Sequence, residues 1–275
     1  GDAVHSEKTE TSCSSNQIIR WVEDDPAHIA LELSSLMSEG GCVAWICNTV
    51  HRAQNAYADL KNALKDTDIE VDLFHARYPF AERDKREKRA LERFGKSGER
   101  PRKAILVATQ VIEQSLDLDF DLMISDLAPI DLLIQRGGRI HRHERGRPIQ
   151  MSQKALWIIK PAGHENDEPV FMSSVYNEWV LYRSWFAIRN RRNILIPDDI
   201  EGLIESVYGD SPPDDMTPDM IERDSQLKKE FDKDGRTLEF NAKTNLLPEP
   251  EGASLLDCWN RELNEDNPDI HQMLQ

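Results

Sequence analysis

The segment Gln135–Arg142 carries residue types that are suited to binding a phosphate. Its sequence, Gln-Arg-Gly-Gly-Arg-Ile-His-Arg, holds three arginines and two adjacent glycines. Guanidinium groups are planar, permanently charged donors that can grip phosphate oxygens. Arg136, Arg139 and Arg142 are three residues apart, which predicts that they lie on one side of a helix. Each glycine costs a helix about 1 kcal/mol relative to alanine, so the pair indicates a backbone that another body approaches closely. The alternatives are a solvated charged face and a scaffold for Asp or Glu partners.

A second polar set follows predicted strands. Asn48, His75 and Thr109 each come at the end of a short apolar run, and ligands of parallel sheets gather at the carboxyl ends of the strands. The Thr109 hydroxyl could bind a phosphate, and the Asp117 carboxylate could bind a ribose hydroxyl or an arginine. On spacing alone, a capped turn with solvated carboxylates is the favoured alternative. His75 with Arg77 could touch a nucleic-acid phosphate or merely cap a loop.

Other candidate motifs are weaker. Gly95-Lys96-Ser97 is not a P-loop, because Ala90 stands where the pattern GxxxxGK[ST] needs its first glycine and a charged helix precedes it. Asp126 follows an apolar run as a Walker B aspartate would, but without a P-loop a structural role at the strand end is favoured. His141 and His143 have no carboxylate or cysteine partner in the sequence, so two exposed histidines are the favoured interpretation and no metal site is predicted. The four cysteines show no CxxC pair, which indicates reduced thiols.

The elements that would position these residues alternate between strand and helix over the first 160 residues. Apolar strands separated by helices predict an α/β fold with a parallel sheet sandwiched by helices. Residues 1–160 are predicted to form this domain, and residues 161–275 a mostly helical, acidic appendage with a linker at 209–218 and sparse apolar anchors such as Trp259. The predicted strands are 42–47, 70–75, 104–109, 121–126 and 155–160, and the predicted helices 27–38, 49–65, 81–94, 130–138, 170–192 and 198–208.

The charge distribution leaves nucleic acid open as a partner, although the net charge is −16. Residues 1–160 hold 23 Lys and Arg against 25 Asp and Glu, whereas residues 161–275 hold 11 against 25. Basic residues cluster at 83–103 and 136–147, and phosphate binding requires such a local basic face rather than a basic average. The sequence shows neither a signal peptide nor the roughly 18-residue apolar run of a membrane span. A cytoplasmic location without a membrane partner is therefore expected.

Four segments resemble, in order, the motifs of superfamily 2 helicases. Residues 43–50 are similar to motif IV, residues 107–121 to motif V and residues 135–142 to motif VI, and residues 73–77 with Arg83 are similar to the block after motif IV. The wording Phe-His-Ala-Arg-Tyr and Gln-Arg-Gly-Gly-Arg-Ile-His-Arg-His narrows the resemblance to the CRISPR-associated helicase-nuclease of type I interference systems, most like the I-E kind. Ser115 and His141 depart from the general pattern, because many relatives have glycine there.

The resemblance implies a second RecA-like helicase lobe, followed by a helical region, within an ATP-dependent 3′-to-5′ DNA helicase of antiviral defence. A first lobe outside this chain would carry the P-loop and the Mg²⁺ ligands, and a histidine–aspartate nuclease domain outside it would hold the nuclease metal. Arg139 and Arg142 would act as arginine fingers on ATP, with Gln135 and Arg136 beside them. Asp117 would contact the nucleotide sugar or fix Arg139.

The resemblance also implies contacts with single-stranded DNA and with the CRISPR surveillance (cascade) complex. This chain alone is expected to lack ATPase activity. Two alternatives stay open: a non-catalytic docking subunit that recruits an effector through residues 161–275, and a lobe of another superfamily 2 DNA or RNA translocase. The residues that would face the DNA backbone are Asn48, Thr49, His75, Arg77 and Thr109.

Overall fold

A computed structural model describes residues 14–112, 116–171 and 175–245. Within these ranges the chain forms seven strands and seven α-helices. The strands are β1 (Ser15–Val22), β2 (Gly41–Ile46), β3 (Glu70–Phe74), β4 (Lys103–Ala108), β5 (Leu122–Ser125), β6 (Ala155–Ile159) and β7 (Asn193–Ile196). The helices are α1 (Pro26–Leu36), α2 (Val50–Ala63), α3 (Phe80–Phe94), α4 (Ile130–Gly137), α5 (Glu178–Ile188), α6 (Ile200–Tyr208) and α7 (Pro218–Asn245).

The strands form one sheet in the order β3-β4-β2-β5-β6-β1-β7. All neighbours are parallel except β7, which runs antiparallel to β1. Alternate residues of β2 enter two different cores. Ala44 and Ile46 pack with residues of α3 to α6, whereas Val43 and Trp45 pack with residues of α1 and α2. The predicted parallel sheet with helices on both faces is therefore confirmed.

Two glycines set the entry into β2. Gly40 and Gly41 have φ angles of +135° and +129°, which L-residues with a side chain rarely adopt. A Cβ on Gly41 would also lie 2.7 Å from the Met151 Sδ atom. At the other end of β2, Thr49 caps α2, because its Oγ1 accepts a hydrogen bond from the Arg52 N–H (3.2 Å). The strand therefore delivers residues 47–49 to the edge of the sheet in a defined conformation.

The structure adds two strands to the predicted set, β1 and β7. The predicted helix 170–192 is shorter in the structure (α5), and α7 begins at the end of the predicted 209–218 linker. The predicted boundary at residue 160 stays a prediction, although β7, α5 and α6 share the sheet or its core with earlier residues. A compact unit extends to Leu227, and the described part of a second unit is the remainder of α7, residues 228–245.

Two sequence features lie outside the described residues: the apolar anchor Trp259, and Ser115 in the segment similar to motif V. Within the described ranges, no helix combines the length and the apolar character that crossing a membrane requires.

Candidate functional site

The arginine-rich segment does not continue as a helix. The helix α4 ends at Gly137, so the prediction that the three arginines share one helical face was wrong. The backbone beyond it pairs instead with the residue that leads into β5. The Phe120 N–H donates to the Arg139 carbonyl (3.0 Å), and the His141 N–H donates to the Phe120 carbonyl (2.9 Å). This pairing places Arg139 and Arg142 on an irregular segment beside the amino end of β5.

Arg136 lies inside the protein. Its side chain is only 1% exposed, and its guanidinium donates to Ser125 Oγ (2.7 Å) and to the Tyr176 hydroxyl (3.2 Å). It therefore joins α4 to the end of β5. A Cβ on the adjacent Gly137 would lie 2.3 Å from Gln17 Nε2. The group that approaches Gly137 closely is thus the Gln17 side chain of β1. The buried position of Arg136 does not fit the predicted contact with a nucleotide.

Arg142 and Asp117 meet at the surface. Arg142 Nε donates to Asp117 Oδ1 (2.6 Å), and the two side chains are 46% and 48% exposed. Slight burial acts to raise the pKa of Asp117, but the hydrogen bond from Arg142 and the charges of His143, Arg142 and Lys96 outweigh it, so the pKa lies below its usual value. Gln135 is exposed. Arg139 is partly buried and donates to the Leu116 carbonyl.

A buried ionic network fixes this segment, and sequence reasoning missed it. Asp119 and Asp121 are 0% and 2% exposed. Arg100 donates to both carboxylates (3.0 and 2.6 Å), and so does Arg147 (2.9 and 2.7 Å). The Arg142 N–H donates to Asp119 Oδ1 (2.8 Å). The available signal was two carboxylates two residues apart before a buried strand, with arginines at the same spacing at 145 and 147.

The rejected GKS sequence lies beside Asp117. Lys96 and Ser97 follow α3 at its C-terminus and, together with Asp117, line a cleft of about 610 Å³. A P-loop connects a strand to a following helix, so its rejection is confirmed. The loop nevertheless places a lysine close enough to the Arg142–Asp117 pair to act on the pKa of the carboxylate.

A cleft of about 460 Å³, lined by both polar and apolar residues, lies where β2, β3 and β4 end, at the carboxyl edge of the sheet. Four of the five residues predicted to contact nucleic acid line it, namely Asn48, Thr49, Arg77 and Thr109. Asn48 is held by two hydrogen bonds, from its Nδ2 to the Leu127 carbonyl (2.7 Å) and from its N–H to an Asp126 carboxylate oxygen (2.9 Å). The structure thus brings together side chains from three separate strand ends.

Asp126 and His75 are buried beside this cleft and hold its lining residues in place. Asp126 also accepts a hydrogen bond from Arg52 Nε (2.6 Å), which confirms the predicted structural role. His75 is buried and stacks on the Tyr78 ring at 4.1 Å between centroids. Burial lowers the pKa of His75, and the charge of Arg86 lowers it further. His75 is therefore placed under the cleft, where it shapes the loop that carries Arg77.

The two candidate sites lie at opposite edges of the sheet. The cleft is at the carboxyl edge, whereas the network that fixes Arg142 is at the amino edge, where the Cys42 N–H at the start of β2 donates to Asp121 Oδ2 (2.7 Å). In the part of the chain that the structure describes, no group of three or more His, Cys, Asp or Glu side chains could hold a metal ion.

Residues 39–145 match a family described as the C-terminal part of the CRISPR-associated nuclease/helicase Cas3. This chain carries a Cas3-like helicase C-terminal region. It is 35% identical to the CRISPR-associated endonuclease/helicase Cas3 of Thermus thermophilus over 303 aligned positions, which cover 94% of this chain and 32% of the relative. The predicted resemblance to the CRISPR-associated helicase-nuclease is thereby confirmed.

Solved structures agree with this assignment. A crystal structure of T. fusca Cas3-ADP superposes with a TM-score of 0.77 at 34% identity and covers 89% of this chain and 29% of its own. A chain of a CRISPR RNA-guided surveillance complex, pre-nicking, gives a TM-score of 0.70 at 33% identity over 86% of this chain and 29% of its own. The Cas3-like chain therefore has the predicted RecA-like helicase fold, and it spans about three tenths of the length of these relatives.

Proposed function

We propose that this Cas3-like chain is the second helicase lobe of an ATP-dependent translocase that moves 3′-to-5′ along single-stranded DNA. The translocase would unwind target DNA for degradation in type I CRISPR antiviral defence. The observation that carries the proposal is the separation of two accessible sites on one sheet. Arg142 with Asp117 lies at the amino edge and the cleft at the carboxyl edge, so a nucleotide and a strand can bind this lobe at the same time.

Arg142 fits the role of an arginine finger. Its side chain is half exposed, while its backbone is anchored by the Asp119 carboxylate, so the charge is accessible and its base is fixed. Such a guanidinium stabilises charge that develops on a transferred phosphoryl group and typically contributes about 10³–10⁵ in rate. Asp117 would hold Arg142 before the nucleotide arrives and then be available to a ribose hydroxyl. Arg136 has no part in this proposal, because it is buried.

Arg139 and Gln135 would complete the nucleotide face. Arg139 donates to the Leu116 carbonyl next to Asp117, so it would reach a phosphate by sharing or exchanging that contact. Gln135 is exposed at the last turn of α4. Arg142, Arg139, Gln135 and Asp117 offer hydrogen-bond donors and a single carboxylate. They can therefore form one side of an ATP site, but not the whole of it. The P-loop and the Mg²⁺ ligands would come from the first lobe.

The cleft at the carboxyl edge would hold the backbone of the single strand. Arg77 supplies a charge, and the Thr109 and Thr49 hydroxyls can each donate to a phosphate oxygen. The Thr49 Oγ1 acceptor is used by α2, which leaves its proton for a ligand. Asn48 presents an amide fixed by Leu127 and Asp126. His75 would act indirectly, through Tyr78 and the loop that carries Arg77.

We infer the partners from the relatives. A similar chain occurs in the surveillance complex, so the complete protein would dock on such a cascade complex. The names of the relatives join nuclease and helicase, which supports a histidine–aspartate nuclease domain, with its own metal, elsewhere in the protein. This chain alone would be inactive as an ATPase, because it offers one wall of the nucleotide site.

The test is ATP hydrolysis by the complete protein with saturating single-stranded DNA. Arg142→Ala should lower kcat by about 10³-fold or more and leave strand binding nearly unchanged, because the side chain lies at the opposite edge from the cleft. Arg20→Ala is a matched control, since Arg20 is also 46% exposed and pairs with a surface carboxylate, that of Glu32. Its turnover should equal that of the wild type.

Equal turnover of the Arg142→Ala and Arg20→Ala proteins would remove Arg142 from the nucleotide site. Stimulation by RNA that matches stimulation by DNA would replace the DNA translocase with another superfamily 2 translocase.

A further inference from the structure

Phe80 is the first residue of α3, and its side chain is 78% exposed. A single exposed apolar side chain is ordinary and indicates nothing by itself. The position of the Phe80 ring, however, indicates a function. Phe80 follows Arg77 by three residues, so their Cα atoms are at most about 11 Å apart. Because Arg77 lines the cleft at the carboxyl edge, the ring stands close to the mouth of that cleft.

The loop that carries Phe80 is braced. Tyr78 stacks on the buried His75 ring with an interplanar angle of 3°. The guanidinium of Arg86, on α3, lies 4.1 Å from the centre of the Tyr78 ring and donates to the Leu73 carbonyl (2.9 Å) at the end of β3. These contacts occupy the neighbouring aromatic rings and tie the start of α3 to the sheet. The Phe80 ring is thus presented to solvent from a fixed base.

A cation lies beside the exposed ring. The Arg83 guanidinium carbon lies 5.7 Å from the centre of the Phe80 ring, and the exposed Arg77 precedes Phe80 by three residues. The residues of the first turn after Phe80 include Glu82, Arg83 and Asp84, so the ring is not part of an extended apolar surface such as a protein interface would need. An isolated exposed ring with arginines nearby in the chain is a combination that single-strand binding proteins use, with bases stacked on the ring and phosphates on the cations.

A second observation in the adjacent cleft also points to a ligand. Asn48 is only 7% exposed, and its Oδ1 atom accepts no hydrogen bond from any residue that the structure describes. A buried acceptor without a partner costs free energy. The N–H group of a nucleobase is the donor that a DNA strand can bring to it, because phosphates and deoxyribose carry none. The cleft and the ring therefore suit the same strand.

We propose that Phe80 is a stacking platform for one base of the single strand whose backbone occupies the cleft. This inference rests on the proposed DNA-binding function and adds the way in which the strand is held. Every nucleobase has a π face, so stacking on Phe80 adds affinity without sequence preference. That property suits a lobe that must hold any target sequence as it passes.

The test measures the affinity of the complete protein for labelled oligothymidylate and for a strand of the same length with abasic sites in place of every base. Phe80→Ala should weaken oligothymidylate binding by about 5- to 150-fold and leave binding of the abasic strand unchanged. Phe80→Trp should retain the affinity, because tryptophan also stacks. Leu31→Ala, which truncates a 72% exposed leucine on α1, is the control and should change neither affinity.

Three outcomes separate the possibilities. No effect of Phe80→Ala on oligothymidylate would overturn the stacking role, and so would an equal loss on both strands, since that loss would come from the fold or the phosphates. A wild-type protein that binds neither strand would instead refute the proposed function itself.

Discussion

Arg136 and Arg142 are six residues apart and meet opposite environments. Arg136 is buried and serves the fold through Ser125 and Tyr176, whereas Arg142 is half exposed and pairs with Asp117. A buried guanidinium must satisfy its donors within the protein, so Arg136 has little left to offer a ligand. Equal residue type at regular spacing therefore does not imply equal function here, because α4 ends between the two positions.

Arg77 lends itself to a test of the phosphate contacts. Arg77→Ala should weaken single-strand binding and reduce the salt dependence, because each lost phosphate contact removes about 0.7 from the slope of log K against log salt. Fluorescence anisotropy of the complete protein with labelled oligothymidylate at several salt concentrations measures the slope. The control is Arg102→Ala. Arg102 is exposed like Arg77, but it lies at the amino end of β4, away from the cleft, so its loss should leave the slope unaltered. A slope that drops equally in both variants would mean that only net charge matters.

Most of the site residues could be predicted, but not their surroundings. Asn48, Thr49 and Thr109 follow apolar runs, so their place at the edge of a parallel sheet followed from pattern alone. The burial of Arg136 and the approach of Gln17 to Gly137 depend on which distant strand packs there, and no local period encodes that.

At the scale of elements, α5 and α7 are joined by a buried ion pair. Arg183 on α5 donates through Nε and Nη2 to the two carboxylate oxygens of Asp224 on α7, both at 2.8 Å. Trp179 Nε1 donates to the same carboxylate (3.0 Å), and the Arg183 Nη1 donates to the Gly209 carbonyl (2.6 Å). Both the guanidinium and the carboxylate therefore have hydrogen-bond partners. The pair attaches the start of α7, which has few apolar residues, to α5.

Loss of one partner should destabilise the fold strongly. Asp224→Asn leaves the buried guanidinium without its counter-charge, which typically costs about 3–5 kcal/mol. The free energy of unfolding in urea measures this cost. Asp84→Asn, which breaks the exposed Lys88–Asp84 pair on α3, should have little effect. Similar urea midpoints for the two variants would show that the Arg183–Asp224 pair adds nothing.

Five of the seven strands could be predicted. The strands β2, β4, β5 and β6 are buried and therefore read as apolar runs, whereas β3 alternates charged and apolar residues before Phe74. The strand β1 has a mixed pattern, with buried Gln17 and exposed Arg20 among apolar residues. The strand β7 has four residues, too few for a periodic signal. The strand β1 is fixed by its pairing with β6 and β7, and β7 by its pairing with β1. This information comes from distant parts of the chain.

For the whole lobe, the titration of buried groups should control the stability in acid. Burial lowers the pKa of His75, His141 and His164. The unfolded chain takes up protons at these positions from about pH 6.5 downward, while the folded chain resists. Burial acts to raise the pKa of Asp121. The charge of Arg100 and the hydrogen bonds that Asp121 accepts from Arg147, the Cys42 N–H and Arg100 lower this pKa overall. Both effects remove stability as the pH falls.

The free energy of unfolding should thus be level near pH 7–8, decline below about pH 6.5 and decline further below about pH 4. Urea unfolding of the wild type at a series of pH values measures the profile. His75→Gln should flatten the first decline, whereas His28→Gln, at an exposed position of α1, should leave it intact. Equal profiles for the two variants would show that His75 does not contribute to that decline.

The pairing of β7 with β1 decides where this polypeptide can be divided. A fragment cut after residue 160 would remove the antiparallel partner of Ser15–Ile18 and leave that edge of β1 open. It would also remove the residues of α5 from the core that contains Ile19 and Ile158. Open strand edges promote association between molecules. Expression fragments that end beyond Leu227, the last residue of the compact unit, keep β7 paired with β1 and are therefore the better starting point for biochemistry.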